Sequence, residues 1–289
     1  MFGIVDKITE WIRELLVSMI ESNLTGMFSD VNDKVATIAA EVGQTPQSWD
    51  ASIFSMIQTL SETVIIPVAG IIITYVLCYE LISMITDKNN LHDVDTWVFF
   101  KYFFKAGVAV FIVTHTFDIT MAIFDVGQWA VSHAAGVIGS STSIDIDSAV
   151  ATMLASLEAM EIGELMAVSL ETMLVRFCMQ IISVIVTVIL YGRMIEIYLY
   201  CSVSPIPFAT MTNREWGQVG NNYLKGLIAL AFQGFFLMVC VGIYAVLVNN
   251  MIIATNIHTA IFSVAAYTVL LCFSMFKTGT LAKSIFNAH

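Results

Sequence analysis

The chain has 289 residues, 58% hydrophobic and only 12% charged, with a net charge of −11 and a mean hydropathy of +0.83. A soluble domain carries about 25% charged residues, and several apolar stretches here exceed the roughly 20 residues a helix needs to cross a bilayer. Composition therefore excludes an ordinary soluble fold and indicates an all-α integral membrane protein of five spans.

From Gly3 to Asn23 apolar residues recur at helical spacing (Ile8, Trp11, Ile12, Leu15, Leu16, Met19, Ile20), with charges on the opposite face. Such a helix lies in the membrane interface or docks on a partner subunit. It lacks the apolar core of a cleavable signal peptide. Asp30 to Asp50 is polar, with a Gly43-Gln44-Thr45-Pro46 turn, and is expected to form a short helix and a connector. Residues 1–52 thus form an N-terminal segment, and residues 53–289 a polytopic membrane domain.

The first span is expected over 53–86, bent at Pro67 and Gly70, with Glu62 and Glu80 near its ends. The second, over 97–124, begins with Lys101 and Lys105 and carries His115 and Asp118 near its far end. Residues 125–164 form an external segment holding a second interfacial helix capped by Asp147. The third span, 165–204, has only Gly192 as a candidate breaker; at 1.5 Å per residue it reaches about twice the hydrocarbon thickness. The fourth covers 223–248, interrupted by Asn249-Asn250, and the fifth 258–276.

Between the third and fourth spans lies Ser204-Pro205-Ile206-Pro207-Phe208-Ala209, then a polar run with Arg214, Glu215 and Trp216. Prolines lack a backbone donor and crowd the preceding turn, so this stretch is expected to be a rigid, non-helical corner. Lysine and arginine near span ends place it inside, with the N-terminus outside and the C-terminus inside: Lys88, Lys101, Lys105, Arg193, Arg214, Lys225, Lys277 and Lys283 gather on one side.

Other polar residues carry competing readings. Arg193 and Glu196 share a helix face and can pair, lining a pore or subunit contact, or snorkel to the headgroups. Arg176, with Glu171 and Gln180 nearby, suits an ion pair with a neighbouring helix. Glu62, His115, Asp118 and Arg193 are the set a small-solute or ion transporter would use. Gln233 is expected to hydrogen-bond between helices. Lys101, Lys105, Arg214 and Lys225 form a basic belt for anionic phospholipid or a partner. The five cysteines have no close pairs, and no P-loop, HExxH or nucleophile elbow occurs, so neither cofactor nor catalysis is expected; a bound phospholipid is the one ligand left open.

At Ser204 to Ala209, Tyr223-Leu224-Lys225-Gly226 and Gln233 the chain resembles the TrbL-type (VirB-six-like) polytopic subunit of type IV secretion systems. The likeness is sharpest over residues 194–236 and extends to the five-span layout. It implies a channel or scaffold subunit for conjugative DNA transfer in the cytoplasmic membrane. Other membrane subunits and the secretion ATPase would be its partners, with transient passage of single-stranded DNA and its relaxase. One five-helix bundle encloses no lumen wide enough for a strand, so a conduit requires several copies. The acidic outer segment disfavours tight DNA binding, which draws on lysine and arginine. A pure assembly scaffold is the third reading.

Overall fold

A computed structural model describes residues 2–86, 96–139, 145–252 and 256–288. Lys88 and the serine-rich stretch from residue 140 to 144 lie outside the described residues. The described residues are helical with no strand: α1 (Phe2–Val42), α2 (Pro46–Trp49), α3 (Ala51–Leu60), α4 (Ile66–Thr86), α5 (Thr96–Thr114), α6 (Thr116–Gly139), α7 (Ile146–Leu157), α8 (Ile162–Val203), α9 (Pro205–Thr210), α10 (Gly217–Ile252) and α11 (Ile257–Ile285). Four stretches are long and apolar enough to cross a membrane, Ala51–Thr86, Ile162–Val203, Gly217–Met251 and Ile257–Ile285, and a bent pair of helices brings the number to five. The all-α membrane class expected from composition is the one observed.

The chain divides into two compact units. The first gathers Met1–Val42, Val131–Leu190 and Phe235–Thr278 around one core, with Phe28, Val31 and Ile38 of α1 set among Leu157 of α7, Met179 of α8, Val241 of α10 and Ile261 of α11. The second gathers Gly43–Ala130, Tyr191–Gly234 and Gly279–His289. Its core holds Ile57, Phe117, Ile197, Tyr198, Leu227 and Leu230, with a smaller cluster of Ala69, Ile73, Ala109, Val113 and Ala209.

Several local expectations are corrected. Phe2–Val42 is one 41-residue helix rather than a short amphipathic helix followed by a second one, while the expected turn at Gly43 to Pro46 is present between α1 and α2. Trp11, Leu15 and Met19 stay exposed on it, and its buried face runs on through Leu24, Phe28, Val31, Ile38 and Val42. The 53–86 span is not broken at Gly70. A widened π turn, Ser61–Ile65, joins α3 to α4 ahead of Pro67, with Ile66 N–H donating to Ser61 O. Proline cannot donate to Thr63 and its ring crowds that carbonyl, which a widened turn relieves.

The 97–124 span does not run straight. It also does not end at residue 124: two helical stretches, Phe99–Thr114 and Thr116–Ile138, meet at 67°. No proline or glycine sits at the bend. Instead Thr114 Oγ1 donates to Val110 O and Phe111 O, Thr116 Oγ1 donates to Ile112 O and Val113 O, and His115 Nδ1 lies 3.0 Å from Phe111 O. Three consecutive side chains thus compete for the carbonyls of one turn, which bends helices.

The segment expected outside the membrane, residues 125–164, also differs in detail. α7 is capped by Asp145, whose side chain accepts from Ser148 N, and Asp147 falls in the first turn, where its charge favours the helix dipole. At the other end of α7, Arg13 of α1 donates to Glu158 O (3.1 Å) and Met160 O (2.7 Å), satisfying carbonyls that a helix end leaves open. α8 is unbroken at Gly192, and α10 continues through Asn249 and Asn250 to Ile252. α11 extends past Phe276, so Lys277 and Lys283 are helical.

Candidate functional site

The Pro-x-Pro stretch is not the non-helical corner expected. Pro205 opens the six-residue helix α9, and Ser204 before it is α-helical (φ −53, ψ −36). The physical reason lies in position. Both prolines fall in the first turn, where backbone donors have no helical acceptor and the fixed φ of proline is already suitable. The expected end of the long upstream helix is nonetheless there, at Val203. α9 is buried at Pro205, Pro207, Phe208 and Ala209, and packs on α4 and α5.

Beyond α9 the chain turns on Asn213. Its Oδ1 accepts from Glu215 N (2.8 Å) and Trp216 N (2.9 Å), and its backbone carbonyl accepts from Gly217 N at the start of α10. Its amide donates to Glu80 Oε2 (3.4 Å), and Lys105 Nζ donates to Glu80 Oε1 (2.5 Å). Glu80 is buried, with its side chain 11% exposed against 35% for Lys105. One carboxylate therefore ties α4, α5 and the turn together. Tyr79 OH donates to Glu215 Oε1 (2.8 Å), and Trp216 stacks on Tyr75 (5.4 Å between ring centres) and Tyr79 (5.7 Å). A polar cavity of about 350 Å³ opens among Tyr79, Glu80, Ser83, Asn213, Arg214 and Glu215.

Close approach of backbone completes the corner. A Cβ on Gly220 would stand 2.5 Å from Pro207 O, and one on Gly217 would stand 2.9 Å from Met211 O. On the other side of the turn Tyr223 OH donates to Tyr200 O, and the two rings stack at 5.5 Å. Gly226 lies against Tyr200, so Tyr223 and Gly226 of the Tyr-Leu-Lys-Gly run fasten α10 to α8. Lys283 Nζ on α11 donates to Glu196 Oε1 (3.0 Å) on α8.

The structure scatters some of the residues singled out in the sequence and gathers others. Lys105 enters the buried ion pair, whereas Lys101 is exposed with its ammonium 5.8 Å from the Trp97 ring centre; Arg214 is exposed and Lys225 half-buried. The basic belt is thus four separate positions with different surroundings. Glu196 closes its ion pair with Lys283; Arg193, buried with its Nε unpaired, feels the Glu196 charge but makes no ion pair with it within 4.0 Å. Glu171 pairs with His258 (2.6 Å), while Arg176 bonds Asn23 Oδ1 (3.3 Å) and lies against Gly26. Gln233 is buried against Gly279 of α11 with its Oε1 unpaired. Glu62, His115 and Asp118 are each exposed; Glu62 accepts from Gln58, and His115 bonds within its own helix. The set proposed for a transporter is not assembled.

Sequence reasoning missed Asn213, Tyr79 and His258, and named Glu80 only as a span end. An acid in a span without a cation one turn away was the signal for a partner on another helix. Among the described residues no group of three metal-ligating side chains forms.

A family model described as "TrbL/VirB6 plasmid conjugal transfer like protein" matches residues 31–205. Comparison with curated proteins and with solved structures returns no match.

Proposed function

The chain belongs to the TrbL/VirB6 plasmid conjugal transfer family, and on that premise we propose that it acts in several copies as a channel or scaffold subunit of a type IV secretion apparatus moving DNA across the cytoplasmic membrane. One observation carries the multi-copy reading. An apolar stripe on α8 is exposed from Met166 through Leu170, Phe177, Val184, Tyr191 and Leu199 to Val203. At 1.5 Å per residue it is about 55 Å long, against about 30 Å of hydrocarbon. Tilting by about 40°, the upper end for spanning helices, still leaves roughly 10 Å of its height beyond the lipid tails. Protein must cover the surplus, and other copies of the chain supply such a surface.

In this reading the α9 corner and its basic residues Lys101, Arg214 and Lys225 face the cytosol, meeting anionic phospholipid or the secretion ATPase. Substrate DNA with its relaxase passes between copies. Paired cysteines at Leu170 and Leu199 on α8 should give a ladder of covalent multimers in native membranes, and deleting the chain should abolish DNA transfer. A monomer band alone would remove the multi-copy reading. Topology has its own test: a cysteine at Asp147 should label from outside and one at Ser284 from inside; the two sides exchanged would reverse the orientation, and labelling of both from one face would overturn the five-span count.

A further inference from the structure

The C-terminal half of α1 carries charge into a place where charge is rare. Pairing with α8 advances in step along both helices. Asn23 meets Thr172, Gly26 meets Arg176, and Lys34 and Thr37 share a cavity of about 90 Å³ with Ser183 and Thr187. The neighbouring runs in this unit hold no lysine, arginine, aspartate or glutamate: 177–190 on α8, 235–252 on α10 and 259–276 on α11. α1 therefore lies at the depth where those three helices are in hydrocarbon, although its own charges keep it from looking like a span.

Asp30, Asp33 and Lys34 sit at that depth. Lys34 is 5% exposed, faces the cavity together with both aspartates, and closes no ion pair within 4.0 Å among the described residues. Asp33 is exposed, with Ser29 Oγ at 3.4 Å. Two carboxylates and one ammonium leave one negative charge, and ionisable groups in a membrane are neutralised by partners.

The exposed face of α1 changes character at the same place. Bulky Ile8, Trp11, Leu15 and Met19 give way to Ser22, Thr25, Asp33, Ala36, Thr37 and Ala40. Lipid tails suit the exposed Phe177, Val184 and Val188 of α8, not this strip, whereas small residues let a second helix approach closely. A second copy cannot supply the missing cation. Rotation about the membrane normal keeps every residue at its depth. Among the described residues of this unit the cation at that depth is Lys34, which is buried, and along α8 the nearest cations in the sequence are Arg176 and Arg193, on either side of Ser183.

We propose that the Ser22–Ala40 face of α1, centred on Asp33, receives a transmembrane helix of a different chain, one carrying a lysine or arginine level with Asp33. This rests on the chain working among other membrane subunits, and it specifies the surface and the chemistry of one of them. A photo-crosslinking residue at Thr37 or Ala40, in donor cells holding the complete apparatus, should give an adduct within an apolar helix of another subunit bearing a lysine or arginine. Asp33→Lys should lower adduct yield about tenfold, the effect of about 1.4 kcal/mol at one charged contact. The reciprocal change of the partner's cation to aspartate should restore it. Asp33→Asn, which keeps the size of the side chain, controls for folding and should lower the yield in a protein of unchanged membrane abundance. Adducts to another copy of this chain, adducts to lipid alone, or yields indifferent to both Asp33 variants would overturn the proposal. Transfer that persists when the chain is deleted would instead overturn the functional reading, so the two failures are distinct.

Discussion

Lys105→Met should be among the most damaging single substitutions in the chain, lowering stability by about 3 kcal/mol, the lower end of what breaking a buried ion pair costs. The choice of the lower end follows from exposure: Lys105 is 35% exposed, so the cation is only partly enclosed, while the Glu80 carboxylate at 11% would be left buried with only the Asn213 amide. The double variant Glu80→Leu/Lys105→Met should recover most of that loss, because an apolar pair of similar volume removes the stranded charge along with its partner. Denaturation of the detergent-purified protein, followed by helical signal, checks both. If the double variant is no better than the single one, the pair is not what holds α4 to α5. The coupling reaches the turn too. Glu80 anchors Asn213, and Asn213 positions Glu215 and Trp216, so loss of Lys105 should loosen the whole α9–α10 corner.

Gly127→Val is the second large effect expected. A Cβ on Gly127 would stand 2.6 Å from Ala231 O and 2.9 Å from its carbonyl carbon, and backbone of a long helix cannot give way as a side chain can. Overpacking of this kind costs about 1–3 kcal/mol and occasionally more. Since the obstruction is a carbonyl, Ala231→Gly should not rescue it; rescue would show that the side chain was the limit. Gly70→Ala provides the contrast. Nothing lies within 4 Å of a Cβ there, and Gly70 is inside α4. Alanine is favoured over glycine in a helix interior by about 0.5–1 kcal/mol, so this change should leave the protein equal or slightly more stable.

The spans were legible because hydrophobicity over 20 residues is a bulk property that no single contact overrides. α1 was not, for a related reason. The periodicity from Ile8 to Ile20 is genuine, but much of that apolar face stays exposed, and the residues that enter the core lie further on, among Asp30, Asp33 and Lys34. A window average reads those charges as a connector. The Pro-x-Pro stretch misled by a matter of a few positions: the same two prolines forbid a helix interior and suit a first turn. Pairing was the least legible level. Arg193 and Glu196 share a face, yet Glu196 finds Lys283, and Glu171 finds His258 rather than Arg176. Neither partner is encoded by spacing along one helix, because each depends on how two distant helices lie side by side.

The widened turn at Ser61–Ile65 has a consequence for how α4 can vary. One surplus residue in a helix rotates everything after it by about 100°. Tyr75, Tyr79 and Glu80, all downstream, keep their appointments with Trp216, Glu215 and Lys105 only while that surplus is in place. Exchanging Thr63 or Val64 for another residue leaves this phase untouched. Losing a single codon there would remove the surplus and swing the aromatic and acidic side chains beyond it about a quarter-turn away from the partners that hold the corner closed.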